Sequence, residues 1–106
     1  MAVDFWTPPD LRGKVALVTG ATRGIGKGIA LVLGECGATV YVTGRSRNLE
    51  TQTEGLPGNL ELTTEAIRQA GGKGIGVVCD HTKDEDVSSL FAQIEQEHGR
   101  LDFLIN

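Results

Sequence analysis

No stretch of this chain approaches the ~20 consecutive apolar residues that a membrane-spanning helix needs. The first residues carry Asp4 and no basic run ahead of an apolar segment. Neither a bilayer anchor nor a secretory leader is therefore expected, and the chain reads as cytoplasmic. Basic residues are in the minority, with 10 Lys and Arg against 14 Asp and Glu for a net charge of −4. Nucleic-acid binding depends on a basic face that neutralises phosphates, so that class is not expected. Cysteine is scarce: Cys36 and Cys79 lie in apolar surroundings with no C-x-x-C or histidine spacing around them. Both read as buried core thiols, and neither a disulfide nor a metal site is expected.

Glycine is the residue in surplus, at 15 of 106. The glycines gather at turns and helix ends without a fixed period, which excludes a collagen-like repeat and a low-complexity linker. The densest group closes the run V-A-L-V-T-G-A-T-R-G-I-G from Val15 to Gly26. A short apolar strand runs there into a sharp turn and then into a helix. Residues without a Cβ let the backbone approach an anion closely, and the helix that follows aims its unpaired N–H groups and positive dipole end at whatever fills the turn. The run does not fit the G-x-x-x-x-G-K phosphate loop, because Ala21 stands five residues before Gly26 and Gly28 follows Lys27.

The rest of the chain alternates strand and helix patterns. Residues 1–13 form a lead-in whose Phe5 and Trp6 are expected to pack back on the sheet, and residues 14–106 form a partial Rossmann domain. Strands are predicted at 14–19, 38–42, 74–79 and 101–105. A first helix carries Ile25, Ile29, Ala30, Val32, Leu33 and Cys36 as its sheet-facing stripe and ends at Gly37, a left-handed cap. Residues 46–59 are polar, broken by Gly55, Pro57 and Gly58, and read as a loop. A second helix over 60–70 presents Leu62, Ala66, Ile67 and Ala70, and a third opens at a capping box from Thr82 to Glu85 with Val87, Leu90, Phe91 and Ile94 as its stripe. His98 fits a cation in the last turn of that helix. This alternation predicts an α/β fold, a Rossmann-type doubly wound parallel sheet, of which strands 1 to 4 are present in the order 3-2-1-4.

The turn reads T-G-x-x-x-G-x-G rather than G-x-G-x-x-G. Thr19-Gly20-Ala21-Thr22-Arg23-Gly24-Ile25-Gly26 resembles the cofactor turn of the short-chain dehydrogenase/reductase family. Three further matches follow in order: Arg45 after strand two, Cys79-Asp80 at the end of strand three, and Leu101 to Asn106, similar to the strand leading into that family's N-N-A-G segment. The resemblance runs from Leu11 to Asn106. It implies that Gly20, Thr22, Arg23, Gly24 and Ile25 line a pyrophosphate and ribose, while Gly26 packs the helix. Asp80 would touch adenine with the backbone of His81 beside it, and Asn106 would brace the strands near the cofactor.

Strand two ends Thr43-Gly44-Arg45 without the acid that accepts from an NAD ribose 2′-hydroxyl. Arg45 and Arg23 are instead placed for a 2′-phosphate, so NADP (NADPH) is the expected cofactor. Arg47 reads as a solvated loop residue. In the family the catalytic Asn, Ser and Tyr-x-x-x-Lys come after N-N-A-G, so no catalytic residue is expected here. Tyr41 is followed by Arg45 in a strand and is no substitute for that motif. The resemblance implies an oxidoreductase acting on a carbonyl or alcohol substrate, a homo-oligomer when complete. A non-catalytic nucleotide-binding or regulatory module is the alternative, and an S-adenosylmethionine enzyme is a weaker one because it leaves both arginines without a purpose.

Overall fold

All four residues of β1 (Val15–Val18) are buried, as a continuous apolar run in the middle of a parallel sheet should be. The computed structural model describes residues 8–21, 24–45 and 56–106. Around β1 it places β2 (Thr39–Gly44), β3 (Lys73–Val78) and β4 (Phe103–Ile105), all parallel, in the order β3-β2-β1-β4. Helices α1 (Gly24–Glu35), α2 (Leu56–Gln69) and α3 (Asp84–His98) form the connections.

Alternation along the strands sorts the core into two layers. Ala16, Val18, Val40 and Val42 point to one face and pack with Ala30 of α1 and with Leu60 and Ile67 of α2. Val15, Leu17 and Tyr41 point to the other face and pack with Cys79 and with Leu90 and Ile94 of α3. The expected fold class and strand order are both observed. The chain steps outward from β1 to β3, then changes face and returns to the far side of β1. That reversal puts a topological switch point between β1 and β4, where α/β folds open a crevice at the carboxyl ends of their strands.

Asp102 fixes the start of β4 against β1. Its carboxylate accepts the Val15 N–H at 2.8 Å and its own N–H donates to the Val15 carbonyl at 2.8 Å. Arg100 grips the same carboxylate at 2.6 and 3.0 Å. The Arg100 hydrogen bonds, then the Val15 amide, hold the Asp102 carboxyl below the usual range.

Several sequence expectations are corrected. The second helix starts at Leu56, not at residue 60, so 56–59 are helical. Pro57, in the first helical turn, gives up an N–H that would have no partner there, so it is compatible with a helix that opens at Leu56. Residues 46–55, including Arg47, and residues 1–7, including Phe5 and Trp6, lie outside the described residues.

The apolar stripe of α1 is only partly where it is expected: Ala30 and Cys36 are buried and Leu33 packs against the core, but Ile25 and Val32 turn outward. Ile25 is 83% exposed and Val32 57%, while the buried positions are Ala30 and Gly34. Ile25, Gly28, Ile29, Val32 and Leu33 instead line an open apolar groove of about 490 Å³. Small residues win the inner face because α2 comes very close there. A Cβ on Gly34 would meet Ile67 Cγ2 at 2.8 Å, and one on Gly72 would meet the Gly34 Cα at 2.6 Å. In α2 the inward residues are Leu60, Thr63, Thr64 and Ile67, leaving Leu62 exposed, and on α3 Phe91 is 39% exposed.

The capping box at Thr82 does not form. Lys83 is the N-cap residue, with no side-chain cap bond, and the Thr82 N–H and hydroxyl both donate backward to Asp80 Oδ1, at 2.9 and 2.6 Å. At the other end of α1 the expected cap is present. Gly37 has φ 94°, its N–H donates to the Gly34 carbonyl, and the Ala38 N–H donates to that of Leu33. Cys36 and Cys79 are buried free thiols. No helix among the described residues is long and apolar enough to cross a membrane.

Two outcomes are expected. Gly28 faces open space, so Gly28→Ala should stabilise the chain by about 1 kcal/mol through helix propensity. Gly34→Ala should destabilise it by about 1–3 kcal/mol through overpacking against Ile67, and urea unfolding distinguishes the two signs. Because its folded value is depressed, Asp102 contributes stability that is full above ~4, the unfolded carboxyl value, and is lost as pH falls through the lower folded value. The urea midpoint should therefore drop further between pH 7 and acid in the parent chain than in Asp102→Asn.

Candidate functional site

At the carboxyl end of β1 the sheet ladder runs out. The Thr19 N–H still reaches the Ile105 carbonyl at 2.9 Å, and its hydroxyl lies 3.1 Å from Asn106 Oδ1. One residue on, the Gly20 N–H turns toward β2 and donates to the Thr43 hydroxyl at 3.4 Å. Gly20 and Gly24 have φ of 63° and 66°, and nothing lies within 4 Å of where a side chain would begin at either. A left-handed backbone with open space over it is a cradle that only residues lacking Cβ keep empty. Ala21, fully buried, anchors the turn in the core.

Helix α1 begins at Gly24 and has no acid in its first turn. Helix α3 carries Asp84, Glu85 and Asp86 in its first turn. The positive end of α3 is thus met by acids of its own first turn, whereas the first turn of α1 carries none. Gly26 lets the helix abut the turn: a Cβ there would stand 2.8 Å from the Gly20 carbonyl oxygen.

Strands β2 and β3 bring the remaining groups to the same edge. Arg45, exposed, follows β2, and the Cys79 N–H donates to the Gly44 carbonyl at 2.9 Å, which holds the start of the β3–α3 connection beside it. The Asp80 carboxyl is held below its usual range, chiefly by the Thr82 hydroxyl and amide and further by the charges of Lys83 and Arg45. An ionised carboxylate and a guanidinium therefore share this corner. His81 is exposed, but its Nε2 lies 3.1 Å from the Thr43 hydroxyl, so its side chain is engaged and not only its backbone.

The structure brings Gly20, Gly24, Gly26, Arg45, Asp80, His81 and Asn106 to one end of the sheet. Ile25 stands beside the turn facing solvent. Thr22 and Arg23 lie outside the described residues. The residue that sequence reasoning missed is Thr43. A threonine in a strand reads as β-branched packing, and only the register that sets β2 beside the end of β1 shows its hydroxyl under the turn.

Two further groups are placed outside this chemistry. The Tyr41 hydroxyl donates to Glu97, and its ring meets that of His98 edge-on at 5.7 Å. Burial, and then Glu97, raises the Tyr41 pKa, so the phenol stays protonated within the core. Burial, and then the carboxylates of Asp86 and Asp80, pushes the Cys79 thiol up and makes it a poor nucleophile. Among the described residues no cluster of His, Cys, Asp or Glu is arranged to hold a metal ion.

The sequence profile of the short chain dehydrogenases matches residues 14–106. The chain belongs to that family. It is 46% identical over 97 residues to dehydrogenase/reductase SDR family member 1 of Mus musculus, an alignment covering 91% of this chain and 28% of the relative. It is 42% identical over 106 residues to the hydroxynaphthalene reductase-like protein Arp2 of Metarhizium guizhouense, covering all of this chain and 36% of that one. The chain thus spans about a third of the length of these relatives.

Among solved structures, a metagenomic short-chain oxidoreductase in complex with NADP superposes with a TM-score of 0.74 at 36% identity, over 90% of this chain and 38% of the other. The citronellol catabolism dehydrogenase AtuB of Pseudomonas aeruginosa gives a TM-score of 0.77 at 32% identity, over 96% of this chain and 38% of its own. As a member of the short-chain dehydrogenases, the chain contributes the part of the sheet that carries the glycine turn.

Gly26→Ala tests how tightly helix and turn are joined. The added methyl would press on backbone, which cannot swing aside as a side-chain tip can. The variant should lose about 1–3 kcal/mol and shift the Gly20 and Ala21 amide resonances, as measured by urea unfolding and by ¹⁵N spectra.

Proposed function

We propose that this chain is the NADP(H)-binding part of a cytoplasmic short-chain dehydrogenase/reductase that interconverts a carbonyl and an alcohol. The observation that carries the reading is the open glycine turn at the start of α1, set at the switch point of the sheet with Arg45 at the end of β2 and no acid there. The donor set fits a dinucleotide. Backbone N–H groups and a helix N-terminus suit its diphosphate, and a guanidinium suits a 2′-phosphate. The NADP in the metagenomic relative supports the same choice.

In this reading Gly20, Thr22, Arg23, Gly24 and Ile25 line the diphosphate and ribose, and Arg45 and Arg23 hold the 2′-phosphate. Asp80 and the backbone of His81 meet the adenine, while Asn106, tied to Thr19, fixes the neighbouring end of β4. When bound, the dinucleotide supplies or accepts a hydride. These 106 residues supply binding and orientation, with no proton donor at the reacting carbonyl. The proton donor, the substrate pocket and the homo-oligomer interface belong to the complete protein.

Fluorescence titration tests the cofactor choice directly. NADPH should bind at least tenfold more tightly than NADH. Arg45→Ala should cost NADPH about 1.5–3 kcal/mol, the range for a hydrogen bond to a charged group, and leave NADH nearly unchanged. Equal affinities for the two dinucleotides in the parent chain would overturn the NADP assignment.

A further inference from the structure

Thr43 is 1% exposed, and its hydroxyl lies between two groups from different elements. The Gly20 N–H approaches it from the turn at 3.4 Å, and His81 Nε2 approaches it from the β3–α3 connection at 3.1 Å. A hydroxyl has one proton to give and two lone pairs to receive. The Gly20 amide can only donate, so it takes a lone pair. The proton of Thr43 then goes to the other neighbour, which requires His81 Nε2 to be unprotonated and the ring to carry its hydrogen on Nδ1. Were Nε2 to hold the hydrogen, two donors would converge on the Thr43 oxygen and a buried hydroxyl proton would be stranded.

We infer that Thr43 and His81 are positioning residues, a relay that runs from His81 Nε2 through the Thr43 hydroxyl to the Gly20 amide and fixes the first peptide plane of the glycine turn. The inference deepens the cofactor-binding reading and rests on it for its effect on affinity. Gly20 is held through both of its peptides: Thr43 takes the N–H of the Thr19–Gly20 peptide, while Gly26 stands so close to the Gly20–Ala21 peptide that a Cβ would lie 2.8 Å from its oxygen. A left-handed residue with no side chain of its own needs such external contacts to stay in one orientation. With that plane fixed, the Gly20 end of the turn keeps one orientation.

Thr43→Val keeps the β-branched shape and removes only the hydroxyl, and Thr43→Ser keeps the hydroxyl and removes the methyl. In ligand-free protein, Thr43→Val should shift the Gly20 amide resonance upfield and speed its hydrogen exchange about fivefold, the worth of one neutral hydrogen bond, and Thr43→Ser should restore both. NADPH affinity should fall and recover in parallel. Long-range ¹⁵N spectra should show His81 with its hydrogen on Nδ1, and the exposed variant His81→Ala, which does not threaten the core, should also speed Gly20 exchange. An unmoved Gly20 amide in Thr43→Val or His81→Ala, a hydrogen on Nε2, or no rescue by serine would overturn the relay. Failure of the parent chain to bind NADPH would instead overturn the cofactor reading, because the ligand-free amide measurements stand apart from it.

Discussion

A parallel strand paired on both sides must do something with the backbone groups that follow its last ladder bond. β1 is that strand, paired with β2 from Val15 to Val18 and with β4 from Ala16 to Val18. Its Thr19 amide finds β4, and the next amide, at Gly20, finds only a side chain from β2. Gly20 itself is left-handed, and α1 begins four residues later at Gly24, also left-handed. An unpaired backbone donor held away from bulk water seeks an acceptor. The fold sets the start of α1 at a switch point, where in the proposed reading an anion would satisfy its amides. In that reading the binding chemistry is a consequence of strand order: were β1 at the edge of the sheet, the same glycines would close an ordinary connection.

Charge then selects which helix end is used. The acids in the first turn of α3 and the Asp86 carboxylate on the Asp80 amide at 3.0 Å close that terminus internally. The same connection presents Asp80 to Arg45 across the ends of β3 and β2, so the corner next to the α1 terminus sets the Asp80 carboxylate against the cations Lys83 and Arg45. In the NADP(H)-binding reading proposed above, charged phosphates and a neutral purine lie side by side, and such a division suits them. The loop chemistry around Thr82, which spends its hydroxyl on Asp80 instead of capping α3, keeps that carboxylate ionised and oriented.

How much of this was legible in the residues follows from the range of each interaction. Strand order came from alternation of buried runs and helical stripes, and the turn from glycines that nothing else in the chain required. Thr82 was misread because a capping box and an Asx-type turn use the same residue types, and the choice depends on Asp80 two residues earlier. The start of α2 was hidden by a proline and two glycines whose usual meaning is a loop. Thr43 carried no local signal at all. Its role exists only because register brings residue 43 beside residue 20, a separation that pattern reading along the chain does not span.

The inner face of α1 shows how the core and the site are one problem. A stripe of Ile25, Ile29 and Val32 would ordinarily be the face turned to a sheet, yet the helix presents Ala30 and Gly34 there and leaves the larger residues outside. The cause is the approach of Ile67 and Gly72 to Gly34, which leaves no room for a side chain between α1 and its neighbours. A helix seated through glycine sits deeper and at a rotation that bulky residues would forbid. That rotation also determines where its first turn points. Since Gly26 lies against the Gly20 carbonyl at the same helix's start, any outward shift of α1 at Gly34 would disturb the contact between helix and turn. The packing of a residue ten positions from the turn therefore bears on the turn itself.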